Sequence, residues 1–128
     1  GYSTGDDALQ LISRSLKKQM RGDELVARWQ GKSFCLIVYA DLPGVNALLT
    51  RIKSTIKMGA EYELQLDLDF SAGCAIAPSG WKELRLSEMS QKAELALKQA
   101  KKRGRGQMEF VTLTPPQEHS NSAQPGEG

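Results

Sequence analysis

From position 64 to position 76 every even residue is apolar or small: Leu64, Leu66, Leu68, Phe70, Ala72, Cys74 and Ile76. Successive side chains of an extended chain point to opposite faces, so such a run buries one face and wets the other. It predicts a long half-buried strand over residues 64–76, with Gly73 as a bend or bulge. A chain built around such a strand needs a sheet, and it needs other elements to cover the apolar face.

The flanking segments supply both. Ala8, Leu9, Ile12 and Leu16 form a stripe that predicts a helix over residues 7–20, with Asp6 or Asp7 as its N-cap and Arg21-Gly22 as its end. Residues 24–29 alternate, with Leu25, Ala27 and Trp29 on one face, and predict a strand. Residues 30–33 predict a tight turn, and residues 34–39, apolar on both faces, a central strand that closes a hairpin. A second helix is expected over residues 43–58, with Val45, Leu48, Leu49, Ile52 and Ile56 inward, Pro43 in its first turn and Gly59 as its stop. A third is expected over residues 87–102, with Met89, Ala93, Ala96, Leu97 and Ala100 inward, Ser87 as cap and Gly104 as stop. A short strand over residues 107–111 closes the domain.

This order predicts an α+β fold, an antiparallel sheet with packed helices. It resembles a ferredoxin-like unit whose first strand is missing, hence N-terminally incomplete. The 128 residues suffice for one domain, over residues 1–111. Residues 112–128, rich in Pro, Gly, Ser and Gln, are expected to be a disordered tail or linker.

Charge and composition exclude several classes of function. With 17 basic and 15 acidic side chains the net charge is only +2, so no field of the whole molecule attracts nucleic acid or membrane. Cys35 and Cys74 lie in apolar runs and are expected to be buried thiols. His119, the single histidine, sits in the polar tail, which leaves too few ligands for zinc and no fixed neighbours for acid–base catalysis. No apolar run approaches the ~20 residues of a membrane span, and the first residues do not form a signal peptide. A cytoplasmic setting, without metal or cofactor, is the resulting expectation.

Three clusters remain as candidates for chemistry. Lys98, Lys101, Lys102, Arg103 and Arg105 gather at the end of the third helix. They suit either the helix dipole or a phosphate, and in a helix continued that far Lys101 and Arg105 would share a side. Asp67 and Asp69 are a D-x-D pair that could hold Mg²⁺ but is also what the polar face of an alternating strand looks like. Arg21 and Glu24 could grip a phosphodiester and a purine edge, or form a surface ion pair. Residues 32–39 share only the outline of an RNA-recognition strand, since Leu36 stands where a stacking aromatic would be.

Four segments together resemble the GGDEF domain family, the diguanylate cyclases and their inactive relatives. Gly1-Tyr2-Ser3-Thr4-Gly5-Asp6-Asp7-Ala8-Leu9 is similar to the family's G-H-x-x-G-D-x-x-L, and Asp23-Glu24-Leu25-Val26-Ala27-Arg28-Trp29 to its D-L-V-A-R-Y strand. Ser71-Ala72-Gly73-Cys74-Ala75 is similar to S-I-G-V-A. The run from Ala93 to Lys101, followed by Gly104-Arg105-Gly106, is similar to A-D-x-A-L-Y-x-A-K-x-x-G-R-N. The resemblance implies a nucleotidyl-cyclase-like fold and a role in cyclic di-GMP signalling. It implies nucleotide binding by Asp6, Lys101 and Arg105, and an inhibitory-type cyclic di-GMP site at Arg21 and Glu24, where the family has R-x-x-D.

The signature turn itself departs from the pattern. G-G-D-E-F is replaced by Gln30-Gly31-Lys32-Ser33-Phe34, which has no carboxylate for a divalent ion. Lys32 also adds a positive charge where two cations would sit. The expectation is a degenerate, catalytically inactive domain that binds cyclic di-GMP or GTP, or scaffolds a partner. An active or residual diguanylate cyclase making cyclic di-GMP from two GTP, a ligand-free structural module and a single-stranded nucleic-acid binder are the alternatives. Family domains begin with a strand and a helix that have no counterpart here, so a longer protein with an upstream sensory or partner domain is expected.

Overall fold

The computed structural model describes residues 4–78 and 85–114. Its elements follow the predicted order: helix α1 (Thr4–Gln19), strands β1 (Leu25–Arg28) and β2 (Phe34–Ile37), helix α2 (Leu42–Leu64), strand β3 (Ala72–Ile76), helix α3 (Leu86–Lys102) and strand β4 (Met108–Thr112). The fold is α+β. Most of the tail expected over residues 112–128, His119 included, lies outside the described residues. Thr112, however, ends β4, and Leu113 is buried with its N–H donating to the Ile76 carbonyl at 2.8 Å.

The chain divides into two compact units, Gly1–Phe70 and Ser71–Gly128. In the first, α1 packs on α2. Leu16, Ile52 and Ile56 form the core, joined by Ile12, Leu48, Val26, Phe34, Leu36, Leu68 and Phe70. Ile52 and Ile56 are fully buried, and each stabilises the unit by about 1.5–3 kcal/mol. β1 and β2 form the expected antiparallel hairpin, with Leu25 opposite Ile37 and Arg28 opposite Phe34. Val26 is the β1 residue turned to the core, whereas Leu25 and Trp29 are exposed, so the face opposite to Leu25, Ala27 and Trp29 is the buried one.

In the second unit, β3 and β4 run parallel, joined by α3, with Ala72 opposite Met108 and Ile76 opposite Thr112. A parallel pair needs such a crossover, and α3 covers both strands with Ala96 and Ala100 buried. The ladders are therefore of both kinds, antiparallel in one sheet and parallel in the other.

Several expected boundaries are corrected. α1 starts at Thr4, which places Asp6 and Asp7 in its first turn instead of at the cap, still favourable beside the positive end of the helix. α2 does not stop at Gly59. It continues through Ala60, Glu61 and Leu64, all good helix formers, and ends at Gln65 in the left-handed conformation (φ 54°). A Cβ on Gly59 would meet Leu11 Cδ1 at 3.2 Å, so this glycine marks close α1–α2 packing. Asp41, not foreseen, caps α2 by accepting from Gly44 N–H at 2.9 Å. Ser87 does not cap α3; the N-cap is Arg85, which makes no side-chain cap bond.

The long strand is the largest correction. Leu64 belongs to α2, only Ala72–Ile76 enters a ladder, and residues 65–71 form no regular element. The alternation persists in burial as far as Leu68, with Leu66 and Leu68 half-buried and Gln65 and Asp67 exposed, and ends where Asp69 and Phe70 are both half-buried. A strand requires a hydrogen-bonded neighbour as well as the right side-chain period, and among the described residues the ladders join only β1 with β2 and β3 with β4. Nor does Gly73 bulge: it pairs in regular register with Glu109.

Candidate functional site

The hairpin tip is closed by its own backbone. Ser33 N–H donates to the Gln30 carbonyl at 2.8 Å and Trp29 N–H to the Ser33 carbonyl at 2.9 Å. Gly31 takes a φ of +53°, a conformation that side chains disfavour. Arg28 adds a brace that the sequence did not suggest: its guanidinium donates to the Gly31 carbonyl and lies 5.3 Å from the centre of the Phe34 ring. Lys32 is exposed at the tip, and Ser33 beside it is half-buried. The polar side chains of the turn are thus the Gln30 amide, the Lys32 ammonium and the Ser33 hydroxyl, with no carboxylate among them. Among the described residues, no three His, Cys, Asp or Glu side chains group so as to hold a metal ion.

The D-x-D pair faces lysines. Lys53 and Lys57 are four apart on α2, and Asp69 and Asp67 are two apart on the extended segment. Four helical residues rise about 6 Å and two extended residues about 6.6 Å, so the two pairs match in spacing. Lys57 Nζ meets Asp67 Oδ1 at 3.2 Å. Lys53 Nζ bonds Asp69, donates to the Phe70 carbonyl at 2.6 Å and lies 4.7 Å from the Phe70 ring centre. Asp69 also accepts from Phe70 N–H at 2.8 Å. Burial works to raise the pKa of Asp69. The bonds from Lys53 and the Phe70 amide, with the fields of Lys53 and Lys57, outweigh it and hold the carboxyl below its ordinary value. The pair therefore pins the extended segment to α2 and does not point two bare carboxylates at solvent.

Arg21 and Glu24 are brought together, though not as an ion pair. Glu24 N–H donates to the Arg21 carbonyl at 2.8 Å, and Arg21 N–H donates to Glu24 Oε1 at 2.9 Å. Glu24 Oε2 accepts from Tyr39 N–H at 3.2 Å. Arg21 is exposed and Glu24 half-buried. The Tyr39 amide is a partner that sequence reading missed, since nothing in residue identity marks which backbone N–H a carboxylate will meet.

The nucleotide-type residues are distributed over both units. Asp6 is exposed in the first turn of α1. In the second unit, Lys101 is exposed in the last turn of α3, which ends at Lys102. Arg103 turns back to β4, donating to the Met108 carbonyl at 2.7 Å and pairing with Glu109 at 3.1 Å. Arg105 lies past the helix in the turn that follows Gly104, as the expected stop at Gly104 implies, so Lys101 and Arg105 do not lie on one continued helix. Cys35 and Cys74, expected to be buried thiols, are free and half-buried, and burial pushes the pKa of Cys74, in β3, up to about 11. No helix among the described residues is long and apolar enough to cross a membrane.

The family model described as "Diguanylate cyclase, GGDEF domain" matches residues 1–107. "Probable diguanylate cyclase DgcC" of Escherichia coli K12 is 28% identical over 116 residues, covering 87% of this chain and 30% of that protein. "Cyclic di-GMP phosphodiesterase NbdA" of Pseudomonas aeruginosa is 27% identical over 119 residues, covering 88% of this chain and 14% of that protein. The chain thus spans less than a third of the length of these relatives. In fold, it is similar to the diguanylate cyclase SiaD of Pseudomonas aeruginosa, solved in complex with its activator SiaC. The TM-score is 0.58 at 21% identity, over 84% of this chain and 41% of SiaD.

Proposed function

The chain belongs to the GGDEF domain family, and from that premise we propose that it is a regulatory domain of cyclic di-GMP signalling that binds the dinucleotide without making it. The observation that carries this reading is the hairpin tip, where Lys32 and Ser33 occupy the positions of the family's two signature acids. Joining two GTP molecules calls for divalent ions to offset charge on the α-phosphate and the attacking hydroxyl. An ammonium repels those ions, and a single hydroxyl does not hold them. The donor set at this turn does not fit such ions. Asp67 and Asp69 are no substitute, because each already faces a lysine.

Binding needs none of those groups. Arg21 is exposed on a turn held by the Glu24 N–H on its carbonyl and by the Glu24 carboxylate on its N–H, and its planar guanidinium fork suits a phosphodiester. The matched relatives bear names of enzymes that make or break cyclic di-GMP, which supports that dinucleotide as the ligand. The activator bound to SiaD supports a protein partner as the recipient of the signal. The Lys101 and Arg105 pair gives weaker support for GTP, because the helix end separates the two.

The test uses the full-length protein. With GTP and either Mg²⁺ or Mn²⁺ it is expected to accumulate no cyclic di-GMP, and accumulation abolished by Asp67→Ala would establish a cyclase with an unusual metal site instead. Calorimetry is expected to show cyclic di-GMP binding that Arg21→Ala weakens by about 10- to 100-fold, the loss of one or two charge-assisted hydrogen bonds. Absence of binding by the parent protein would leave a scaffold without a ligand.

A further inference from the structure

We propose that Glu24 is a positioning residue for Arg21 and not itself a contact to the ligand, an inference that rests on the reading of the Arg21 turn as a cyclic dinucleotide site. Both carboxylate oxygens of Glu24 are committed to backbone. Oε1 accepts from Arg21 N–H at 2.9 Å, and Oε2 accepts from Tyr39 N–H at 3.2 Å. The residue's own N–H returns a bond to the Arg21 carbonyl at 2.8 Å, so residues 21 and 24 form a reciprocal clasp. The Tyr39 contact lies beyond the last ladder pair, Leu25 with Ile37. A side chain thus stands in for one more rung at the open end of the hairpin. It ties the Arg21 turn to the segment that leads into α2 through the cap at Asp41.

This geometry gives the glutamate a physical reason. Reaching from position 24 to both amides takes a side chain with the extra methylene, and an aspartate is one carbon shorter. A carboxylate that swung out to a purine edge would release one of two backbone donors. The guanidinium of Arg21, exposed and hung on the clasped turn, is left to meet the anionic ligand. Glu24 then governs affinity only through where it holds Arg21.

A double-substitution cycle in the full-length protein tests this. Cyclic di-GMP affinity is measured by calorimetry for the parent, Glu24→Ala, Arg21→Lys and the pair, and amide exchange at Arg21 and Tyr39 is followed without ligand. Glu24→Ala is expected to speed exchange at both amides several-fold while α2 amides stay protected. It is also expected to weaken binding about tenfold in the parent and hardly at all beside Arg21→Lys, because the two residues act as one unit. Glu24→Gln, which keeps one acceptor, is expected to fall between and guards against a folding defect. Equal weakening in both backgrounds would show a direct contact by Glu24 and overturn the proposal. Unchanged exchange would overturn the clasp. A parent that binds no cyclic di-GMP while exchange still accelerates would instead overturn the dinucleotide reading of the site.

Discussion

A Cβ added to Gly73 would lie 2.1 Å from Leu97 N, 2.4 Å from the Ala93 carbonyl oxygen and 2.6 Å from Leu97 Cα. All three are backbone atoms of α3, which cannot step aside as a side-chain tip can. The glycine is therefore the contact that lets helix and strand touch directly. Gly73→Ala is expected to destabilise the protein by about 3 kcal/mol or more, the scale of an overpacked core, seen as a large fall in the urea midpoint or loss of folded protein. Gly59→Ala is the contrasting case. Its neighbour is a leucine methyl at 3.2 Å, and alanine raises helix propensity by about 1 kcal/mol, so a change within about 1 kcal/mol of zero is expected. A large loss there would show that α1 and α2 approach more rigidly than a leucine rotamer allows.

At the scale of elements, the decisive segment is residues 65–71. It has strand-like burial without a ladder, and side chains hold it: Lys53 to Asp69 and the Phe70 carbonyl, Lys57 to Asp67. The half-buried Lys53 pair is the stronger anchor, since the Lys57 pair is exposed and worth about 0–1 kcal/mol. Asp69 has a pKa below its ordinary 3.8 in the folded state. Its contribution is thus fully present above the unfolded value and is lost as pH falls through the lower folded value. Asp69→Asn is expected to remove about 1–2 kcal/mol at pH 7 and to flatten the fall in stability that the parent shows below its ordinary pKa. Urea midpoints measured across that range would check it, and a variant with an unchanged acid limb would refute the anchor. The same segment explains why the predicted strand over residues 64–76 was too long. Periodicity reports which side chains face inward, and it says nothing about whether a neighbouring strand is present to accept hydrogen bonds.

At the scale of the whole molecule, a net charge of +2 argues against nucleic acid as the partner. A labelled single-stranded oligonucleotide is expected to show no saturable binding at about 150 mM salt, and saturable binding with a logarithmic salt slope steeper than about −2 would contradict this. The order of seven elements was legible because each rests on local chemistry. The stripes of Leu16 and of Ile52 with Ile56 set helices, Gly31 set the turn, and Pro43 marked the start of α2. The absence of carboxylates at the hairpin tip was legible too, because residue identity alone determines it. The amino-acid sequence by itself therefore determined the order of the elements, the family and the chemistry present at the turn. The tertiary structure alone decided what those groups touch: that Glu24 reaches Tyr39, that Asp67 and Asp69 face lysines, and that Gly73 lies against α3. The physical reason is range. Helix and turn preferences act over a few residues, whereas hydrogen bonds and close packing join atoms that only the folded backbone brings within about 3 Å.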